Sequence, residues 1–587
     1  MNVAHMNKDA KTQADRDDEQ ILVALKSGRS FLVEAGAGAG KTYSLMRVID
    51  WLQDNKKEEY KRKKQKVACI TFTNAAVDVI SGRLKDNSFI EPTTIHTFAW
   101  QAISQYQKAL LEEIQTNEAY FVENVDMSTI VGVCYDLGHR LVDDDNKLHL
   151  HHNDIISLFA NFLDKKKFRD ILTQRYPLIL IDEYQDSSAA IVDKFREYFI
   201  SKSCGPQFGF FGDAWQTIYQ SNKVCGEIID PNIQVISKGS NFRSAPQIVD
   251  VLNKIRPSLK QIVANDKIDG EVVVVSCDDY VGSRRNDRNF KDDLPQEELS
   301  KRLTALEAAI KALDPKSKET VKTLLITHRM LAAQQGYEDV LRFIGNQSFS
   351  DREEPVLEFA VEQIEPVFNA LKNNDIVALS EVLGRKNIPI KTKQQKKDWR
   401  TFYEQLQGAR NQTILAVLTL IKDSNLLPIP PKVTNVMTQF KEEPDQKYYE
   451  STYEQYLNIR YNEFASAALF FRPESVYSTE HGVKGEEYDN VIFGITRGWT
   501  QYDFPKYAPM IPSESYPSDK KDSYIRNRNL FYVCCSRPKK RLVIFVSVPV
   551  LDDFKQFLLD LVGQKCYYTY TEYMAVLRTR IEGISSS

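Results

Sequence analysis

Short apolar runs punctuate the first half of the chain, and each gives way to a polar or glycine-rich break. Phe31–Ala35 (FLVEA), Val67–Thr73 (VACITFT), Pro177–Ile181 (PLILI) and Phe208–Phe211 (FGFF) are too short for helices and show no alternation. Runs of that kind read as strands covered on both faces, as in a parallel sheet. After the first run, Leu45, Val48, Ile49 and Leu52 recur at helical spacing, and Asn74–Ile80 follows the second with a helical pattern. Asn241-Phe242-Arg243-Ser244 precedes a further helix over 245–256. Strands alternating with helices predict an α/β chain with doubly wound parallel sheets.

The alternation is interrupted twice. Residues from about 100 to 171 read as helical and polar. A second α/β block begins near 251, with strands at Val272–Val275 and Thr323–Thr327 and a charged loop without a core pattern at 282–298. Residues 346–472 again read as helical, broken by Pro389 and by PIPPKV at 428–433, before strands return at Ser475–Ser478, Val491–Ile495 and Leu542–Val546. The expected organisation is one α/β domain (1–92 and 172–250) carrying a helical insertion (93–171). A second (251–345 and 473–587) carries another (346–472). A length of 587 residues is compatible with several cores of this size.

Composition narrows the class. The chain is 42% hydrophobic and 27% charged, as in ordinary globular proteins, and a net charge of −3 excludes a bulk polycation. Any nucleic-acid contact must then come from a local groove. No apolar run reaches the roughly 18 residues of a membrane span, and the polar N-terminal stretch has no apolar signal core. A cytoplasmic protein without a membrane role is expected. Eight cysteines lack C-x-x-C pairing, so reduced buried thiols are expected rather than a zinc or iron–sulfur site. The patch LHLHH, ending at His151 and His152, has no carboxylate or cysteine at ligand spacing.

The candidate chemistry gathers on the first apolar run. Ala35-Gly36-Ala37-Gly38-Ala39-Gly40-Lys41-Thr42 continues it into a helix, the strand–loop–helix setting of a phosphate cradle. Small residues let backbone N–H groups converge on phosphate oxygens, and the helix N-terminus adds positive potential. Lys41 is placed for the β/γ-phosphates and the Thr42 hydroxyl for Mg²⁺. Ala35 stands where the usual pattern has glycine. The PLILI strand ends in Asp182-Glu183, at the ligand edge of a doubly wound sheet. Asp182 suits Mg²⁺ and Glu183 suits polarising an attacking water, although the pair could instead cap the next helix. Arg243 and Arg537 are candidates to meet charge building on the transferred phosphoryl group, since the guanidinium fork binds phosphate oxygens in pairs.

Taken together these segments resemble superfamily 1 DNA helicases of the UvrD/Rep type, and the match runs in order from Gln20 to Arg537. ITFTNAAVDVISGRL (70–84), TIHTF (94–98), LILIDEYQDS (178–187), FGDAWQTIY (211–219), NFRS (241–244), THR (327–329), TEHGVKGEEYDNVIF (479–493) and LFYVCCSRPKKRLVI (530–544) are each similar to a family motif. The resemblance implies two RecA-like P-loop motor domains with parallel sheets, each with a helical insertion, sharing one Mg-ATP. It also implies roles. Gln20 would read adenine beside Tyr43, Phe242 would stack on its ring, Glu487 would hold the ribose, and Gln216 would couple the γ-phosphate to the DNA groove. Phe72, Asn74, His96, Thr479 and His481 would lie along single-stranded DNA.

The departures bear on function. Tyr43 replaces an arginine common in the family. Ile218-Tyr219 is followed by Gln220-Ser221-Asn222-Lys223 where the family has GWRGA, so a base-stacking tryptophan is absent from the sequence. The second insertion is short. Two readings follow. One is an ATP-dependent 3′–5′ translocase or helicase acting on single-stranded or tailed duplex DNA, as in DNA repair. The other is a DNA- or nucleotide-gated ATPase that unwinds weakly and regulates a partner nuclease, as in the helicase subunits of bacterial anti-phage systems. A P-loop kinase or signalling GTPase would not account for the motifs after residue 240.

Overall fold

The computed structural model describes residues 7–84, 89–122, 125–135, 140–217, 224–314, 320–325, 328–352, 354–384, 390–438, 454–472, 477–479, 485–498 and 501–585. The chain forms two compact units: 1–272 with 504–542 and 556–563, and 273–503 with 543–555 and 564–587. Residues 504–542, expected from sequence in the second α/β domain, thus group with the first unit. No helix among the described residues is long and apolar enough to cross a membrane.

The first unit holds a six-stranded sheet in the spatial order Ile90–Thr94, Val67–Thr71, Leu178–Asp182, Gln207–Gly212, Phe31–Ala35, Gln234–Lys238. Every neighbouring pair in it is parallel. Its strands explain their unbroken hydrophobicity, because alternate residues feed two separate cores. Phe31, Val33, Cys69, Leu180 and Phe211 pack with Leu45 and Ile49 of the helix Lys41–Asn55 and Ile21 of the helix Lys8–Lys26. Leu32, Ile70, Ile179, Ile181 and Phe210 pack on the opposite face with Phe98, Phe159 and Phe195. The strands Phe31–Ala35, Leu178–Asp182 and Gln207–Gly212 are adjacent and in parallel register, so their C-terminal ends open on one edge.

The first insertion is not wholly helical. Helices Gln107–Thr116, His152–Leu163 and Lys166–Arg175 accompany a three-stranded sheet of Gly132–Tyr135, Lys147–Leu150 and Leu141–Val142. Its hairpin turns at Asp143, whose carboxylate accepts the backbone N–H groups of Asp145 and Lys147, and at Asn146 in the left-handed region (φ 56°). Strands of two to four residues carry too little periodicity to show against a polar background.

In the second sheet the order is Tyr477–Thr479, Val321–Leu325, Tyr488–Ile495, Pro538–Val546, Glu271–Ser276, Tyr567–Thr569. The last strand, absent from the sequence reading, pairs in parallel with Val274–Ser276. The stretch 282–298 is also better packed than its charge suggested. Phe290 and Leu294 are buried, and Arg284 donates to the carbonyls of Cys277, Asp292 and Ser547. A guanidinium spent on backbone carbonyls stabilises a loop without needing an apolar pattern. The described part of 346–472 is helical, with Trp399, Phe402, Leu418 and Phe464 in one core with the second sheet's Val275, Ile492 and Phe545.

Candidate functional site: a phosphate loop facing two carboxylates

The loop after Phe31–Ala35 folds tightly because two glycines supply backbone angles other residues resist. Gly38 (φ 74°) and Gly40 (φ 75°) are both left-handed, and Gly40 immediately precedes the helix Lys41–Asn55. A Cβ at Gly38 would stand 2.8 Å from Asn241 Oδ1 and from Arg243 Cβ. The Ala37 peptide is held on both sides. Its N–H donates to the Tyr532 hydroxyl (3.2 Å), and its carbonyl accepts from Asn241 (2.9 Å) and Gln261 (3.1 Å). Phe242 N–H donates to Gly38 O (2.9 Å), and the Phe242 ring edge lies 3.8 Å from where a Gly40 Cβ would be. NFRS is therefore packed directly against the cradle.

Lys41 is ion-paired with Glu183, and its Nζ lies 3.9 Å from Asp182 Oδ1. Burial opposes its charge, but Glu183 and then Asp182 outweigh this and raise its pKa. Asp182 is 8% exposed, and burial pushes its carboxyl up to about 6 against the pull of Lys41. Glu183 sits in the left-handed region (φ 50°), a strain of about 1–3 kcal/mol that tends to mark functional sites. It makes no capping bond to the short helix that follows, so the capping alternative finds no support. Asp182, buried and 3.9 Å from Lys41 Nζ, and the exposed Thr42 next to Lys41 offer hard oxygen donors at the phosphate cradle, a set that fits Mg²⁺. Bound there through Thr42 and Asp182, the ion would neutralise charge on a nucleotide's phosphates.

The third strand brings Asp213 and Gln216 to the same edge. Gln216 donates to Asp213 Oδ2 (2.8 Å) and accepts from Arg537 Nη2 (3.1 Å). Arg537 follows the buried helix Lys521–Cys535 and is itself 1% exposed. Burial, and then the neighbouring Arg243, pull its pKa down to about 10. Arg243 donates to Ser536 O (3.3 Å). The structure thus gathers Lys41, Asp182, Glu183, Gln216, Arg243, Phe242 and Arg537 within the first unit.

Other candidates are placed less closely. Gln20 and Tyr43 are exposed, the latter 63%. Gln20 follows Asp18, which accepts from Lys238 and Ser44 and so ties its helix to the phosphate-loop helix. Glu487 lies exposed in the second unit. Phe72 (48% exposed) and Asn74 present an aromatic and a polar group at the end of Val67–Thr71. His96 is half-buried, stacked on His152 at 3.3 Å, with burial pushing its pKa down to about 4. Thr479 ends a strand paired with Leu325. His481, Thr327 and Ile218–Lys223 lie outside the described residues. In the LHLHH patch His149 pairs with Asp143, His151 caps a helix and His152 meets Tyr135, and the described residues contain no group of metal-ligating side chains.

Residues given no individual role from the sequence complete the site. Arg256 bonds Asp213 (2.7 Å) and Glu34 (2.6 Å), and Tyr184 donates to Glu34 (2.9 Å). Gln185, fully buried, donates to Glu183 (2.6 Å) and accepts from the Asp213 N–H (3.2 Å). A Cβ at Gly212 would collide with Gln185 Oε1, so the glycine leaves room for this amide.

Residues 19–222 match the model of an AAA domain family. Gabija protein GajB of Bacillus cereus (strain HuB5-5) is 21% identical over 94% of this chain and 98% of its own length. Gabija protein GajB of strain VD045 is 26% identical over 44% of this chain and 52% of its length. RecBCD enzyme subunit RecB of Borreliella burgdorferi is 29% identical over 24% of this chain and 12% of that protein. The chain thus carries an AAA-type P-loop domain over 19–222, and it resembles the UvrD-like helicases.

Proposed function

We propose that the protein hydrolyses Mg-ATP in response to single-stranded DNA. The observation that carries the reading is the gathering of Lys41, the Asp182–Glu183 pair, Gln216 and Arg537 around one glycine loop. In this assignment Lys41, Arg243 and Arg537 meet the charge of the phosphates and Thr42 and Asp182 hold the metal. Glu183 orients the attacking water, and Gln216 links that chemistry to the DNA groove. Gln20, Tyr43, Phe242 and Glu487 would bind the nucleoside, and Phe72, Asn74, His96, Thr479 and His481 the strand. Exposure of the Phe72 ring supports a stacking role, since a buried ring could not receive a base.

Two uses of that turnover are open to this architecture, 3′–5′ movement with unwinding or gating of a partner nuclease. Similarity to Gabija protein GajB over nearly the whole of both chains favours the second, an ATPase serving anti-phage defence in the cytoplasm. The sequence at 220–223 supports it too, because loss of one base stack removes roughly 1–3 kcal/mol of grip. ATP turnover measured with and without single-stranded DNA, beside strand displacement on 3′-tailed duplexes, tests both. Absence of turnover both with and without DNA would refute the ATPase assignment. Robust unwinding by the isolated protein would refute the gating reading.

A further inference from the structure

We infer that Asp213, clamped by Arg256, is a positioning residue that fixes which way the Gln216 amide faces and thereby delivers its carbonyl to Arg537. The inference rests on the ATPase reading and concerns how that site is aligned. Asp213 is fully buried and its side chain is heavily committed. Oδ1 accepts from Arg256 Nη1 (2.7 Å) and from the Trp215 N–H (3.0 Å), while Oδ2 accepts from Gln216 Nε2 (2.8 Å). An ionised carboxylate can only accept, so it admits the NH₂ end of a neighbouring amide and rejects the oxygen end. The Gln216 oxygen is thereby turned outward, and Arg537 Nη2 donates to it at 3.1 Å. A guanidinium can only donate, so a flipped amide would face an oxygen with a carboxylate and NH₂ with a cation.

Arg256 holds this device from the other side. It is 6% exposed and bridges Asp213 to Glu34 on the strand that enters the phosphate loop. Its guanidinium lies 5.0 Å from the Trp215 ring, beside the turn that carries Gln216. The same guanidinium bonds both carboxylates at once, so neither of these buried acids is left without a donor. Through the Asp213 backbone the same residue also meets Gln185, which holds Glu183. Asp213 therefore lies between the groups assigned to water and to the arginine, and touches neither phosphate nor metal in this assignment.

The test is a charge swap read as ATP turnover at saturating single-stranded DNA. Asp213→Asn and Gln216→Glu should each lower kcat about tenfold while KM for ATP stays within about twofold, because alignment rather than binding is lost. When the two substitutions are combined, the amide now at position 213 can donate to the carboxylate now at position 216. That carboxylate's other oxygen still accepts from Arg537, so kcat should return to within about threefold of wild type. Losses that multiply in the double variant would overturn the inference. A second readout leaves the buried residue untouched. In Gln216→Glu two carboxylates face each other and must share a proton, so activity relative to wild type should rise about fivefold from pH 8.5 to pH 6. A flat relative profile would overturn the inference even if Asp213→Asn did not fold. Wild-type protein without DNA-stimulated turnover would instead sink the ATPase reading itself.

Discussion

The two six-stranded sheets use the same architecture and treat buried charge in opposite ways. At the C-terminal edge of the first, Asp182 is nearly buried yet, among the described residues, receives only the N–H of Glu183 at hydrogen-bond distance, with Lys41 Nζ 3.9 Å away. At the matching edge of the second, Asp293 is 1% exposed and accepts from Ser547 Oγ, Leu294 N and Arg497 N. Burial raises the pKa of both. The difference is in what remains to be satisfied. Asp293 is saturated by its own chain, whereas Asp182 keeps acceptor capacity at a phosphate-binding edge. Function on a shared fold is carried by such grafted sites.

The largest effects should fall on the first edge. Lys41→Ala or Glu183→Gln should abolish DNA-stimulated ATP turnover, a loss of at least about 100-fold, with secondary structure intact by circular dichroism. Either variant retaining full turnover would show that the glycine loop is not the working site. On the second edge the expected loss is of stability. Asp293→Asn places an NH₂ group among donors and should cost about 1–3 kcal/mol in denaturant unfolding. Turnover per folded molecule should stay within about twofold of wild type, because no nucleotide group is assigned there. A large fall in kcat without destabilisation would erase the contrast.

How much of this could be read beforehand depends on the kind of signal. Strands buried on both faces announce themselves, and so does a loop whose left-handed positions require Gly38 and Gly40. Lys41, Asp182, Glu183, Gln216 and Arg537 were legible from motif spacing, and the structure brings them together, while their roles rest on the turnover assays above. The small sheet at 132–150 was not legible, because its longest strands have four residues. Phe290 and Leu294 were hidden inside a charged stretch that a single arginine anchors through backbone carbonyls. Arg256 was invisible for a related reason. Its importance lies in partners distant in sequence, Glu34 and Asp213, and no local periodicity encodes such a meeting.

A smaller effect is expected away from both edges. Phe72→Ala removes a ring that is 48% exposed and so buries little in the folded protein. Stability should barely change, while affinity for a short single strand, measured by fluorescence anisotropy, should weaken about tenfold, as for one lost base stack. Unchanged affinity would remove Phe72 from the strand path.

The most delicate prediction sets the two aspartates directly against each other. Asp182 has its pKa raised from 3.8 to about 6, so the native state binds that proton more tightly than the unfolded chain. The ionised form therefore costs stability, a cost absent below about pH 4 and complete above about pH 6. Activity runs the other way, because only the carboxylate can hold a cation: kcat/KM for Mg-ATP should fall to about half its plateau near pH 6 and drop further below it. Asp182→Asn removes the charge, and its remaining amide oxygen can still accept from the Glu183 N–H. At pH 8 it should be inactive yet no less stable than wild type, and more stable by up to about 1–2 kcal/mol. The same substitution at Asp293, where both oxygens accept and the new NH₂ must face a donor, should destabilise. If both substitutions destabilised equally, Asp182 would be a structural carboxylate like its counterpart, and the assignment of the metal to it would fail.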